Sequence, residues 1–318
     1  MNLSPYSEPD ADRWDDFARL APMATFLHTR RFLSYHGQRF QDLSVFIQNQ
    51  KLAVLALFPA AIDPQDARRV ISHPGITFGG VLHNGGLHGA EMIHAWEVLK
   101  TYYSEQGFQS LRYKAIPYIY HQTPTSDDLY ALFRLNAQRS RCDLSCAIDL
   151  AKRPKTSSRR KRGLKKALRA GVEVAEGASF IDDLWRVVEE NLGRKLGQKP
   201  VHTANEIRDL ASLFPENIKF IVALLAGQVV SGITLFRSRS VARAQYIASG
   251  PVGYDVSALD AVFEHAIHQS QVEGLRYFDF GTSNRDEGRQ LSGDLYQFKT
   301  EFGGGGVAQE SYDIDLRA

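Results

Sequence analysis

Gly274-Leu-Arg-Tyr-Phe-Asp-Phe-Gly-Thr-Ser-Asn284 decides the fold, because it has a counterpart at Gly107-Phe-Gln-Ser-Leu-Arg-Tyr113. In both places a glycine suited to ending a helix follows an amphipathic run and leads into a strand. Within the later copy Leu275, Tyr277 and Asp279 alternate with Arg276, Phe278 and Phe280 up to Gly281. That period of two predicts a strand, with Asp279 one residue from its end, where the strand opens into a loop.

Outward from these two stretches the same elements recur. Helical spacing is predicted over 90–106 and 257–273, just ahead of the two glycines. Further upstream lie two hairpins, 43–47 with 52–58 and 218–225 with 229–236, and a strand over 241–248. Short helices are predicted over 13–20 and 29–35 in the first copy. In the second, Ser179-Phe-Ile-Asp182 and Thr203-Ala-Asn-Glu206 have capping-box spacing and should each open a helix. The chain therefore reads as a duplicated helix-helix-hairpin-helix-strand arrangement. Its expected domains are 1–145, a basic connecting helix and strand over 146–178, and 179–318.

A chain of 318 residues, 43% apolar and 23% charged, is long enough for two such cores. Cys142 and Cys146 are too few for a disulfide scaffold or a cysteine-based zinc site. His265 and His268 stand three apart without an accompanying acidic metal motif, so no metal is expected. The N-terminus lacks a basic, then apolar, leader, and no apolar window is long enough to cross a membrane; a cytoplasmic protein is expected, with peripheral contact to a membrane surface left open. The net charge of +2 conceals a concentration: Lys152 to Arg169 holds ten Lys or Arg and no acid. Leu164, Ala167 and Leu168 give that segment an apolar stripe and Gly171 a stop, which predicts a docked basic helix over 159–170 running into a strand at 172–175.

Three patterns together carry a resemblance. They are Thr77-Phe-Gly-Gly80, the run from Arg162 to Val174, and Phe278-Asp-Phe-Gly281 followed by Leu295-Tyr-Gln-Phe-Lys-Thr-Glu-Phe-Gly303. In this order, the sequence resembles the FemAB-like (Fem-type peptidoglycan-bridge) acyltransferases, which have a tandem GNAT fold. The resemblance implies an α/β (α+β) protein of two GNAT-like domains, each with a mixed, mostly antiparallel sheet flanked by helices, and transfer of an acyl or aminoacyl group onto an amine. It implies a role for Lys299 in holding the donor or the charge that develops during transfer, and phosphate contact for Arg162.

The residues taken alone allow the same chemistry. Amine attack on an ester or thioester passes through an oxyanion, which needs a fixed cation or amide donors and a route for the amine's proton. Lys299, with Phe298 beside it and the amides of Gly303, Gly304, Gly305 and Gly306, could supply the first; Asp279, Glu301 or Tyr296 could take part in the second. The turn expected to cradle a coenzyme A pyrophosphate, Ser249-Gly-Pro-Val-Gly-Tyr-Asp255, has no leading cation, a proline in place of one donor, and an acid. The donor is therefore left as aminoacyl-tRNA, an acyl-carrier protein or acyl-CoA bound in another way, with no resident cofactor expected. The acceptor is an amine on a small molecule, a cell-envelope glycan or a peptidoglycan precursor. Two other readings stay open: an acyl-CoA-dependent N-acetyltransferase of small amines, and a non-catalytic RNA-binding or scaffold protein using the basic helix.

Overall fold

The computed structural model describes residues 1–197 and 199–317. It divides into two compact units: 1–144 with 284–290 and 308–318, and 145–283 with 291–307.

The first unit contains β1 (Asn2–Pro5), α1 (Ala11–Leu20), α2 (Arg30–Leu33), β2 (Val45–Gln48), β3 (Val54–Phe58), β4 (Ala61–Asp63), β5 (Asp66–Ile71), β6 (Leu82–His83), α3 (Ala90–Glu105), β7 (Ser110–Lys114) and α4 (Asp127–Arg134). One sheet has the order β1-β2-β3-β6. In the other, β4 pairs antiparallel with β5, and β5 runs parallel to β7. In its core Trp96 packs edge-to-face with Phe58 and with Tyr113, and Phe58 meets Tyr103 at a tilt.

The strand β8 (Gln138–Asp149) enters the second unit at Ser145. There follow α5 (Ser158–Arg169), β9 (Glu173–Glu176), α6 (Ile181–Leu196), α7 (Ala204–Leu213), β10 (Ile218–Leu225), β11 (Gln228–Arg237), β12 (Val241–Ser249), α8 (Pro251–Asp255), α9 (Ala258–Val272) and β13 (Tyr277–Thr282). The chain closes with the two-residue strands β14 (Asn284–Arg285) and β15 (Gln290–Leu291), then α10 (Gly293–Thr300) and β16 (Gly305–Asp315). The second unit's sheet has the order β8-β13-β12-β11-β10-β9, antiparallel except for β12 beside β13. Phe263, Phe278, Phe280 and Phe302 fill its core, from α9, β13 and the end of α10.

The duplicated order is present, since strand, two helices, antiparallel strands, a long helix and a parallel strand recur in both units. The basic helix forms as expected, capped by the Ser157 hydroxyl, which accepts from the Arg160 amide (3.2 Å). Gly107, Gly171 and Gly274 each follow a helix in the left-handed conformation, with φ of +89°, +81° and +75°. Three expectations change. The Thr203–Glu206 box forms, but Ser179 lies inside a 3-10 turn that leads into α6, and Phe180 takes the cap position with no side-chain bond. The Leu-Arg-Tyr tripeptides are not equivalent positions: pairing sets Ser110 against Arg69, and Tyr277 against Val241, so Leu111 corresponds to Phe278. Finally, 146–178 packs within the second unit, while the last strand joins the first unit from Ala308 onward. There β16 lies antiparallel to β7, and Asp313 accepts from Arg112 at 2.8 and 2.9 Å.

Among the described residues, no helix is long and apolar enough to cross a membrane.

Candidate active site

The site follows from how two parallel strands part. β12 and β13 pair at only three positions, Val241 with Tyr277, Ala242 with Phe278 and Arg243 with Asp279. β12 then bulges against β11 between the pairs that hold Tyr246 and Ala244, leaving Gln245 unmatched. A bulge bends its strand, so the carboxyl end of β12 turns away from β13, and α8 and α9 begin at the gap. The Gln245 side-chain carbonyl has no hydrogen-bond partner. In parallel sheets, ligands enter at such carboxyl ends.

One side of this mouth is fixed by a buried ion pair. Asp279 is 1% exposed and accepts from Arg243 Nη1 (2.6 Å), the Ser145 hydroxyl (2.5 Å) and the Gly281 amide (2.8 Å). The expected strand-end position is therefore replaced by an internal one, because β13 runs on to Thr282 with both faces covered. A carboxylate holding three donors is built to shape the strand.

Lys299, on α10, is 2% exposed and donates to the carbonyls of Gly281 (2.9 Å) and Thr282 (2.7 Å). Burial pulls its pKa down to about 8, against the attraction of Asp279. The ammonium thus clamps the end of β13. Tyr296, half-buried on the same helix, has its pKa raised by burial. Gly303 and Gly304 are required by close packing. A Cβ on Gly303, at φ +99°, would lie 2.5 Å from the Pro154 carbonyl, and one on Gly304 would lie 2.5 Å from Cys146 Sγ. The Gly303 amide is already given to the Thr300 carbonyl (2.9 Å).

Phe298 and Arg162 meet elsewhere, in a cavity of about 430 Å³. One wall is α5, through Arg159, Arg160, Arg162, Gly163 and Lys166; another is Ser249, Gly253, Tyr254, Ser257, Leu259 and Asp260 around the starts of α8 and α9. The basic helix is docked through Arg160, whose guanidinium bonds Asp260 (3.1 Å) and Glu301 (2.9 Å) and lies 4.7 Å from the Phe298 ring centre. Upstream, Arg153 bonds Glu264 at 2.8 and 3.0 Å. Asp260 is 3% exposed and its Oδ1 has no partner. Burial lifts its pKa to about 6, with Arg160 opposing. A Cβ on Gly163 would lie 2.6 Å from that oxygen, so helical propensity is given up there for contact with α9. Sequence reasoning missed Asp260, although an acid within Ala258-Leu-Asp-Ala-Val-Phe263 is a visible signal that a polar partner is needed.

In sequence, residues 152–299 match the model of the acetyltransferase (GNAT) domain. The whole fold is also similar to that of FemX, with a TM-score of 0.69 at 10% identity over 100% of this chain and 98% of that one. This is a tandem GNAT fold. The same arrangement is found in L-PGS from Bacillus licheniformis (TM-score 0.62, 14% identity, 98% and 94% covered). A tandem GNAT protein from the clavulanic acid biosynthesis pathway is similar too (TM-score 0.56, 8% identity, 99% and 98% covered). No curated protein matches the chain in sequence. The match to the acetyltransferase domain ends at Lys299, and the second unit holds the diverging strands and the cavity.

Among the described residues, no group of three His, Cys, Asp or Glu side chains could hold a metal ion.

Proposed function

We propose that this tandem GNAT acyltransferase moves an acyl or aminoacyl group onto an amine of a cell-envelope glycan or peptidoglycan precursor, with the donor bound in the second unit. The observations that carry the choice of unit are the parting of β12 from β13 and the cation-walled cavity at the starts of α8 and α9, both in the second unit. The likeness to FemX and the Fem-type sequence patterns support the envelope acceptor. In this reading the donor's acyl carbonyl enters the mouth, Lys299 holds Gly281 and Thr282 in place there, and Tyr296 and Phe298 on α10 border the path. Arg162 meets the donor's phosphate. Because Asp279 is committed to Arg243 and Ser145, it acts as a positioning residue for the mouth.

The test is direct. Purified protein is given acetyl-CoA, an acylated carrier protein or a mixed aminoacyl-tRNA pool, with a muropeptide precursor or glucosamine as acceptor, and products are read by mass. Acylation of the acceptor amine from any one donor supports the reading and names the donor. No mass increment from all three donors, with folded protein, refutes it. Transfer to small amines from acetyl-CoA alone would favour the narrower N-acetyltransferase reading.

A further inference from the structure

After the turn at 249–255, the start of α9 is the next place where first-turn amides and the helix dipole would favour a donor's phosphate. Here that place is already taken. Asp260, the third residue of α9, puts its own carboxylate there, bonded to Arg160 at 3.1 Å. Its second oxygen is buried, without a partner, beneath Gly163. A phosphate drawn to those amides would meet a carboxylate in a partly desolvated setting, where like charges repel strongly. Pro251, at the start of the five-residue α8, offers no amide.

The cations are on the opposite element. Arg159, Arg162 and Lys166 follow one another at three and four residues along α5, which sets them in a stripe on one helix face, and all three line the cavity. Arg162 and Lys166 are exposed and have no ion-pair partner among the described residues; Arg159 reaches Glu301 only at 3.7 Å. Tyr254 lines the same cavity, with its hydroxyl donating to Asn191 (3.3 Å) and the Arg194 guanidinium 5.6 Å from its ring centre.

We infer that the cavity binds the nucleotide phosphate ester of an acyl donor on the α5 stripe, Arg159, Arg162 and Lys166, and leaves the α9 N-terminus to Asp260. The inference rests on the proposed acyl-transfer reading and deepens it by naming the group that anchors the donor. Coenzyme A and the 3′ end of an RNA present this chemistry alike.

The experiment measures dissociation constants of coenzyme A and of an RNA hairpin with a single-stranded 3′ end, on wild type, Arg162→Gln/Lys166→Gln and Asp260→Asn. The double variant alters exposed, unpaired side chains and should keep its fold, checked by circular dichroism. For whichever probe wild type binds, it should weaken binding about tenfold or more, since charged hydrogen bonds are lost. If that probe is the hairpin, the slope of log affinity against log salt should fall by roughly 1–2. Asp260→Asn should alter affinity by less than about threefold, because on this account no phosphate sits beside it. The inference is overturned if Asp260→Asn tightens binding about tenfold while the double variant binds like wild type. Failure of wild type to bind either probe also overturns it. Unchanged binding and transfer in the double variant would defeat the stripe yet leave acyl transfer standing; tight, stripe-dependent binding with transfer from no donor would do the reverse.

Discussion

The two units each carry a pair of parallel strands, and they treat its carboxyl end in opposite ways. In the first unit the chain leaving β5 stays beside β7: the Ser72 amide donates to the Arg112 carbonyl (2.9 Å), the Lys114 amide to the Ser72 hydroxyl (2.7 Å) and the Gly79 amide to the Lys114 carbonyl (3.0 Å). The mouth is laced shut by the segment from Ser72 to Gly80. Both parallel ladders have three pairs, but in the second unit the bulge at Gln245 carries β12 away. A lysine clamps two carbonyls in each: Lys114 those of His73 (3.0 Å) and Ile76, Lys299 those of Gly281 and Thr282. The same repeat thus yields one closed and one open mouth. What differs is where the next segment finds its hydrogen bonds.

That comparison can be broken at the charges. By pairing, Arg112 occupies in the first unit the position of Asp279 in the second. Arg112 and its partner Asp313 are 26% and 31% exposed, whereas Arg243 is 11% and Asp279 1% exposed. Asp279→Asn leaves a buried guanidinium uncompensated and should cost about 3–5 kcal/mol in urea unfolding. Asp313→Asn should cost about 1 kcal/mol or less. Equal costs would mean that the second mouth is no more rigidly built than the first.

The lysines give the next largest effect. Lys299→Met and Lys114→Met each leave two carbonyls without their donor, and each should lower stability by about 2–4 kcal/mol. Only Lys299→Met should also abolish transfer. Lys299 holds main chain, so in that variant loss of transfer and loss of stability should come together. Loss of transfer in Lys114→Met at a temperature where it is folded would move the chemistry toward the first unit.

The smallest effect is a pH dependence at Asp260. Its folded pKa, about 6, lies above the ordinary 3.8, so its contribution to stability is fully present below pH 3.8 and is lost as pH rises through about 6. Asp260→Asn does not titrate. Its stability relative to wild type should therefore improve between pH 4 and pH 7, by ~1–3 kcal/mol for a group this buried. A pH-independent difference would show that Arg160 fully compensates the burial.

Much of the fold was legible because its signals are local. Helix stops at Gly107, Gly171 and Gly274, the hairpins and the apolar stripe of α5 are short-range features, and the duplicated order follows from them. Register was not, because the recurring Leu-Arg-Tyr is only a local likeness while pairing is settled by partners far along the chain. The return of 308–318 to the first unit is of the same kind, since nothing within β16 says that β7 is its neighbour. At the site, Phe298 and Arg162 were found in the cavity, whereas Lys299 and Asp279 proved to be spent on main chain and on Arg243. Alternation marks a strand residue but not how deeply a sheet covered on both faces will bury it.

The most direct test of an open second mouth and a closed first one is amide hydrogen exchange with and without saturating donor, using whichever of coenzyme A or the RNA hairpin binds. Slower exchange on binding is predicted for peptides covering 157–169 and 244–263, with 72–80 and 110–116 unchanged. Protection confined to 72–80 and 110–116 would contradict the account.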